Sequence, residues 1–371
     1  MAVYKLFSDY DSLINTQVVT ANAGFDEMLE LAGYPVQKVG QTSRTLIHFK
    51  TSEVDNVLGN IVGDNVFTAS IDLSLADAYE MPQEYKVECY PLAESFQGGV
   101  GKFADDILTG SEDRSGVSWR YRKSEYTDAW ATSGFSTYQT ASYNSTYPGG
   151  GSWFTASATY NLESTQSFST GQDLDIYMDV TNAVHLHTSG TIDNNGFILK
   201  LEDSIEFYTS ASLISRYYSS DTNTIYPPTL TFEWDDQVYE TGSLSVLNNS
   251  QAIIEVTNNR GSYPDVGKYR FRLLARPKNP TRTFTTGSIY KTNYALPSGS
   301  VYGLKDEYTE EMEIDFNNGS TKVSCDASGS YIDLYMNGLQ PERYYRLLIK
   351  SELDGSTLVD DSNVFKVVRN G

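Results

Sequence analysis

DLDIYMDVTNAVHLHTSGTIDNNGFILKLEDSIEFYTSASLISRYYSSDTNTIYPPTLTFEWDD, residues Asp173 to Asp236, contains three runs with the pattern of strands. Leu174, Ile176 and Met178 alternate with Asp175, Tyr177 and Asp179, the period of a half-buried strand. The turn signal Asp193-Asn194-Asn195-Gly196 precedes Phe197-Ile198-Leu199-Lys200-Leu201. After Pro227-Pro228, the run from Thr229 to Trp234 closes the stretch. Between the first two runs, Asp179 or Thr181 is placed to cap one short helical turn, with Val184 facing inward.

Several short pieces of this stretch follow in a fixed order: Asp179-Val180-Thr181 with Val184, then Gly196-Phe197 with Leu199, then Ser215-Arg216, then Pro228, Leu230 and Phe232. Upstream, Ser43-Arg44-Thr45-Leu46-Ile47-His48-Phe49 reads as a strand carrying an arginine. In that order and spacing, residues 1 to 236 resemble the DNRLRE-type β-sandwich domain. The resemblance implies a jelly-roll-like sandwich in which Arg44 and the Asp179-Val180-Thr181 turn are structural. Some members of that group are sugar-binding modules, so a glycan is an alternative partner.

The chain has 371 residues, 39% of them hydrophobic and 13% aromatic, enough for packed cores. Its 28 tyrosines, with many Ser, Thr and Gly, suit pleated, half-exposed surfaces, so composition points to an all-β protein. The net charge of -21 makes nucleic acid and anionic membranes poor partners. Cys89 and Cys325 lie far apart and fit neither a disulfide framework nor a zinc spacing. No stretch approaches the roughly 18 to 20 apolar residues that span a bilayer. The first residues have no apolar signal core, so synthesis in a cytoplasm is expected.

Two domains are expected. Residues 1–236 make the first, with a long aromatic segment at about 105–170. Residues 243–371 make an immunoglobulin- or fibronectin-like sandwich, with a Pro/Thr/Ser-rich insertion or arm at about 277–300. In the second, Gly338-Leu339-Gln340-Pro341, followed by Tyr345, looks like the turn before a late strand of fibronectin-type modules. Leu339 plugs the sandwich end, Pro341 sets the turn, and a tyrosine packs back over it.

The sequence displays no catalytic constellation, cofactor motif or metal set. Phe96-Gln97-Gly98-Gly99-Val100-Gly101-Lys102-Phe103 lacks the Gly-Lys-Ser/Thr of a phosphate loop. His185 and His187, one residue apart, would share a face if their segment were a strand, but two further ligands are needed for a metal. No nucleophile elbow is present. Carboxylate pairs such as Asp105-Asp106 and Asp235-Asp236 are expected by chance among 48 acidic residues.

The long segment carries Trp119, Tyr121, Trp130 and Trp153 among glycines, including Gly149-Gly150-Gly151. Aromatic residues in loops either cap a sandwich end or face a partner. A sandwich end is too small to bury all three indoles, so Trp119, Tyr121, Trp130 and Trp153 are candidate contacts with a neighbouring chain. The pattern Gly-Val-Ser-Trp-x-Tyr with Gly-Gly-Gly-Ser-Trp resembles virion proteins of tailed bacteriophages that carry this sandwich. The resemblance implies a non-enzymatic neck or tail accessory, made in the host cytoplasm and assembled into the virion as a homo-oligomer or ring against other virion proteins. The alternative is a carbohydrate-binding module or fibre-associated adhesin.

Overall fold

The computed structural model describes residues 2–33, 41–79, 81–102, 114–131, 139–141 (backbone), 149–157, 159–169, 171–207, 213–281 and 289–370. The protein is all-β. Each run read as a strand between Asp173 and Asp236 forms one, and the turn between the first two is the helix Thr181–Thr188 with Val184 buried. Asp179 Oδ1 accepts the Thr181 N–H at 2.8 Å and fixes the helix entry. Upstream, Thr51–Asn56 is a short helix followed by a wider turn over Val57–Val62. Among the described residues, no helix is long and apolar enough to cross a membrane.

Residues 6–61 and 68–231 form one compact unit; residues 1–5, 62–67 and 232–371 form a second. The sequence division placed residues 1–5, 62–67 and 232–236 with the first domain. The reason for the difference at the N-terminus is visible in β1 (Ala2–Phe7), whose Val3 belongs to the apolar core built mainly by residues after 246 and whose Tyr4 meets Tyr335 edge-on at 5.6 Å.

A four-stranded sheet has the order β1, β14 (Thr229–Trp234), β5 (Phe67–Leu73), β11 (Ile176–Asp179). An eight-stranded sheet runs β10 (Ser164–Ser169), β7 (Glu84–Pro91), β12 (Phe197–Leu201), β4 (Thr42–His48), β3 (Met28–Gly33), β13 (Leu213–Tyr218), β6 (Leu75–Tyr79), with β2 (Tyr10–Asn15) also paired to β4. A short hairpin joins β8 (Gln139–Ala141) to β9 (Ser152–Phe154).

Register decides which side chains share a face of the larger sheet. Ile198 lies opposite both Leu46 and Tyr90, and Ile14 lies opposite Arg44. Phe197 opposite Ile47 and Leu199 opposite Cys89 belong to the other face. Strand β12 is buried at all five residues, so both faces of the sheet are covered here.

The second unit has two sheets. One is β15 (Ala252–Val256), β17 (Lys268–Pro277), β21 (Gly329–Tyr335), β20 (Ser324–Asp326); the other is β16 (Ser262–Pro264), β23 (Ser356–Val368), β22 (Tyr344–Leu353), β18 (Val301–Asp306), β19 (Met312–Ile314). Among the described residues, only β16 and β23 pair in parallel within these sheets, and the strand order is that of an immunoglobulin-like sandwich. Tyr345 supplies the expected corner: its hydroxyl donates to the Gln340 carbonyl at 3.2 Å, while Leu339 is buried in the core.

Residues 282–288 of the Pro/Thr/Ser-rich stretch lie outside the described residues. The part from Asn293 to Leu296 does not leave the sandwich as an arm. Ala295 and Leu296 are buried, and Tyr294 N–H donates to Ala275 O at 2.9 Å.

Candidate functional site

Arg44 sits on β4 with no exposed surface. Its Nε donates to Glu206 Oε1 at 2.5 Å and its Nη2 to Glu206 Oε2 at 2.8 Å, a two-pronged pair with a carboxylate that is itself fully buried. Its Nη1 donates to the Gly150 carbonyl. The guanidinium carbon lies 4.8 Å from the ring centre of Trp119, 5.3 Å from that of Trp153 and 5.9 Å from that of Phe207. The cation is thus held by a carboxylate, a backbone carbonyl and three aromatic rings of its own chain, as a buried charge requires.

The tryptophans expected to meet a partner are inside. Trp119 is 0% exposed, Trp130 3% and Trp153 3%. They form one apolar cluster with Ile14, Leu46, Tyr90, Leu92, Phe96, Val117 and Ile198. This corrects the expectation drawn from the size of a sandwich end. The described parts of the segment pack on the face of the larger sheet that carries Ile14, Leu46, Tyr90 and Ile198, and that face has room for all three indoles. Trp130 Nε1 donates to Ser118 O at 3.1 Å, and Trp153 stacks on Tyr90 at 5.7 Å. Tyr121 is half-buried and packs against Tyr126 at 5.2 Å. Residues 103–113, 132–138 and 142–148 of the long segment, including the Asp105-Asp106 pair, lie outside the described residues.

Glycine is required where this cover crosses the arginine. Gly149, Gly150 and Gly151 all have positive φ, at 118°, 87° and 97°. A Cβ on Gly150 would stand 2.7 Å from both Arg44 Nη1 and the Trp119 ring.

The glycine-rich stretch beginning at Phe96 is likewise structural in its described part. Asn22, fully buried, donates through Nδ2 to Gly98 O at 2.6 Å and Val117 O at 2.7 Å. Its Oδ1 accepts the N–H groups of Gly101 at 2.9 Å and Gly24 at 3.2 Å. Gly99, at φ 93°, passes so close to this amide that a Cβ would stand 2.2 Å from Oδ1. The loop wraps a side chain of its own chain.

The two histidines do not converge. Their segment is helical, and residues two apart on a helix point to different sides. His185 is exposed, whereas His187 turns inward, edge-on to Phe197 at 5.6 Å, and burial pushes its imidazole down to about 4. Among the described residues, no group of three or more His, Cys, Asp and Glu side chains is placed to hold a metal. Cys89 and Cys325 are both free and buried.

Sequence reading took Arg44 as structural but did not anticipate its partner. Glu206 is 162 residues away and sits in a short polar helix, Asp203–Glu206, with no periodic signal. Lys200 was equally hidden: it lies within a strand yet is buried, held by Glu88 at 2.7 Å, Leu201 O at 2.9 Å and Asp203 at 3.0 Å.

No protein-family model matches this chain, and no curated protein matches it. Among solved structures, it is similar to the adhesin domain of Epf from Streptococcus pyogenes, at 11% identity over 98% of this chain and 99% of that one, with a TM-score of 0.17. A likeness of that size carries no argument about fold or function. What the fold itself defines is an all-β protein with an immunoglobulin-like sandwich after Phe232 and, before it, a sheet sealed by aromatic side chains.

Proposed function

We propose that this chain is a non-enzymatic structural component of a tailed-phage particle, a neck or tail accessory that docks on neighbouring virion proteins. The observation that carries the reading is the sealed Arg44–Glu206 hub. The charged and aromatic groups that a catalytic or stacking site would present are used inside the fold, as suits a rigid building block. The assignment to a particle draws on the resemblance of residues 1–236 and of the Trp/Gly pattern to virion proteins. Glycan binding through the loop indoles is the weaker reading, because those rings are already buried in their own chain. Sedimentation of assembled particles, followed by mass spectrometry, tests the proposal. The chain should travel with the particles in a fixed ratio to the other virion proteins; a chain left in the soluble fraction overturns the reading.

A further inference from the structure

Charge is unevenly spread along this chain. Residues 266–305 hold eight Lys and Arg and no Asp or Glu, so all 48 acidic residues lie elsewhere, alongside only 19 of the 27 cations. Strand β17 sets Lys268, Arg270, Arg272 and Arg276 on one of its faces, at even spacing. The first three are matched by carboxylates: Lys268 by Asp236 and Asp333, Arg270 by Asp333, Arg272 by Asp326. Past Leu274 the matching stops. Among the described residues, no carboxylate lies within ion-pair distance of Arg276, Lys278 or Lys291.

The fold gathers these three cations at the end of β17. Tyr294 N–H donates to Ala275 O and Ala275 N–H to Asn293 Oδ1, both at 2.9 Å, which brings the short turn Ile289–Lys291 back to this end of the strand. The Arg276 guanidinium lies 5.4 Å from the ring centre of Tyr290, and Lys291 follows that tyrosine directly. On the other side, Lys278 N–H donates to Gln251 O at 2.8 Å. The segment that holds Gln251 is acid-free too, with no Asp or Glu in residues 241–254. The acid nearest in register is Glu255, opposite Leu274 and diagonal to Arg276, yet no ion pair joins it to the arginine. Lys278 and Lys291 are exposed, and Tyr290 is 56% exposed between them and the arginine. A molecule of net charge -21 thus carries one cationic surface, built around an exposed tyrosine.

We propose that this surface docks on the acidic surface of a second copy of this chain. Arginine and tyrosine are enriched at protein interfaces, and here they stand together in solvent. Charge complementarity names the partner. Every copy presents carboxylates in excess outside the cationic stretch, and a copy is at hand wherever the chain is made. Patch against patch would set cation against cation, so the acceptor is a different surface. The segments around the patch lack acid, so that acceptor lies away from it and the contact is head-to-tail. Such contacts close into a ring or run on as a filament. Net repulsion between copies is screened beyond about 8 Å at physiological salt, whereas docked groups touch. A nucleic acid would meet three cations and then run onto acidic surface. The contact forms between copies in solution, whether or not a particle is present.

The test is sedimentation velocity of the full chain over a concentration series, at about 0.15 M and about 1 M salt. The wild type should self-associate at the lower salt and dissociate at the higher. Lys278→Glu with Lys291→Glu should weaken association by at least about tenfold, because reversal turns two attractions into repulsions. Tyr290→Ala should weaken it as well, with no change of charge. Both lysines are exposed and outside any ion pair among the described residues, so the double variant should melt as the wild type does. Carbodiimide coupling of mixed isotopically light and heavy chains should join Lys278 or Lys291 of one copy to a carboxylate of another. The proposal is overturned if the chain is monomeric at every concentration, if the double variant associates undiminished, or if the patch binds a DNA duplex while the chain alone does not self-associate.

Discussion

Arg44 and Glu206 meet through both carboxylate oxygens across 162 residues of chain, and neither side chain reaches solvent. Two charges taken out of water are held by each other, by the Gly150 carbonyl and by aromatic rings. Removing one strands the other. Glu206→Leu or Arg44→Met should each cost roughly 3 to 5 kcal/mol. The double change Arg44→Met with Glu206→Leu should cost less than the two singles together. Urea unfolding of the four proteins decides it, and additive losses would mean the pair is not coupled.

Gly150→Ala places a methyl group against both Arg44 and Trp119 at a φ that L-residues avoid. A loss of roughly 1 to 3 kcal/mol is expected from the backbone alone, more if the indole shifts. Near-ultraviolet circular dichroism should weaken with it, since Trp119 supplies part of that signal. Gly171→Ala is the control: it also has positive φ, but a Cβ there meets nothing within 4 Å.

Asp11 is buried, and burial, with Asp221 nearby, raises its carboxyl to about 7 despite the Ser220 N–H bond at 2.7 Å and the Ser8 hydroxyl. In the unfolded chain it titrates near 3.9. Between about pH 4 and 7 the native state therefore holds a proton that the unfolded state has released. Stability from this group falls as pH rises through that window and is flat above it. Asp11→Asn should leave stability nearly unchanged near pH 4 and raise it by roughly 2 to 4 kcal/mol at pH 8. Thermal melts at the two pH values give the answer; equal effects at both would mean Asp11 is ionised throughout.

Tyr345→Phe removes only the hydroxyl that closes the corner onto Gln340 O. A loss of roughly 0.5 to 1.5 kcal/mol is expected, confined to the unit that contains residues 232–371. Hydrogen exchange should show faster opening of β22 and β23 with residues 6–61 protected as before.

The strands β11, β12 and β14 and the Tyr345 corner were legible because their signals are local: alternation, turn residues and a Gly-Leu-x-Pro spacing; β13, in the same stretch, was not. Strand β2 was not. It reads YDSLIN, yet Asp11, Ser12 and Asn15 are all buried, made tolerable by partners such as Ser220 N–H for Asp11 and the N–H groups of Gln17 and Val18 for Asn15. The first half of β23, STLVDDSN, looks like a loop and is held by cross-strand pairing with β22. Strand β18 follows a Pro- and Ser-rich stretch, which hid its start. The burial of Trp119, Trp130 and Trp153 depends on a sheet face assembled from strands far apart in sequence, and no window of residues displays it.

A strand that is apolar on both sides has little to tell it which way round to lie. Strand β12 is buried on both faces and is apolar at four of its five residues, so slipping it by one residue against β4 would still bury hydrocarbon. Arg44 breaks that degeneracy. One residue out of step, its guanidinium faces the opposite layer, away from Glu206 and the indoles, and a charge is left in oil. The hub is thus an alignment key as well as a brace, and its error signal is largest while the sheet is still being zipped. A chain lacking it is expected to show its defect as misaligned, aggregation-prone folding products before any loss appears in the finished fold.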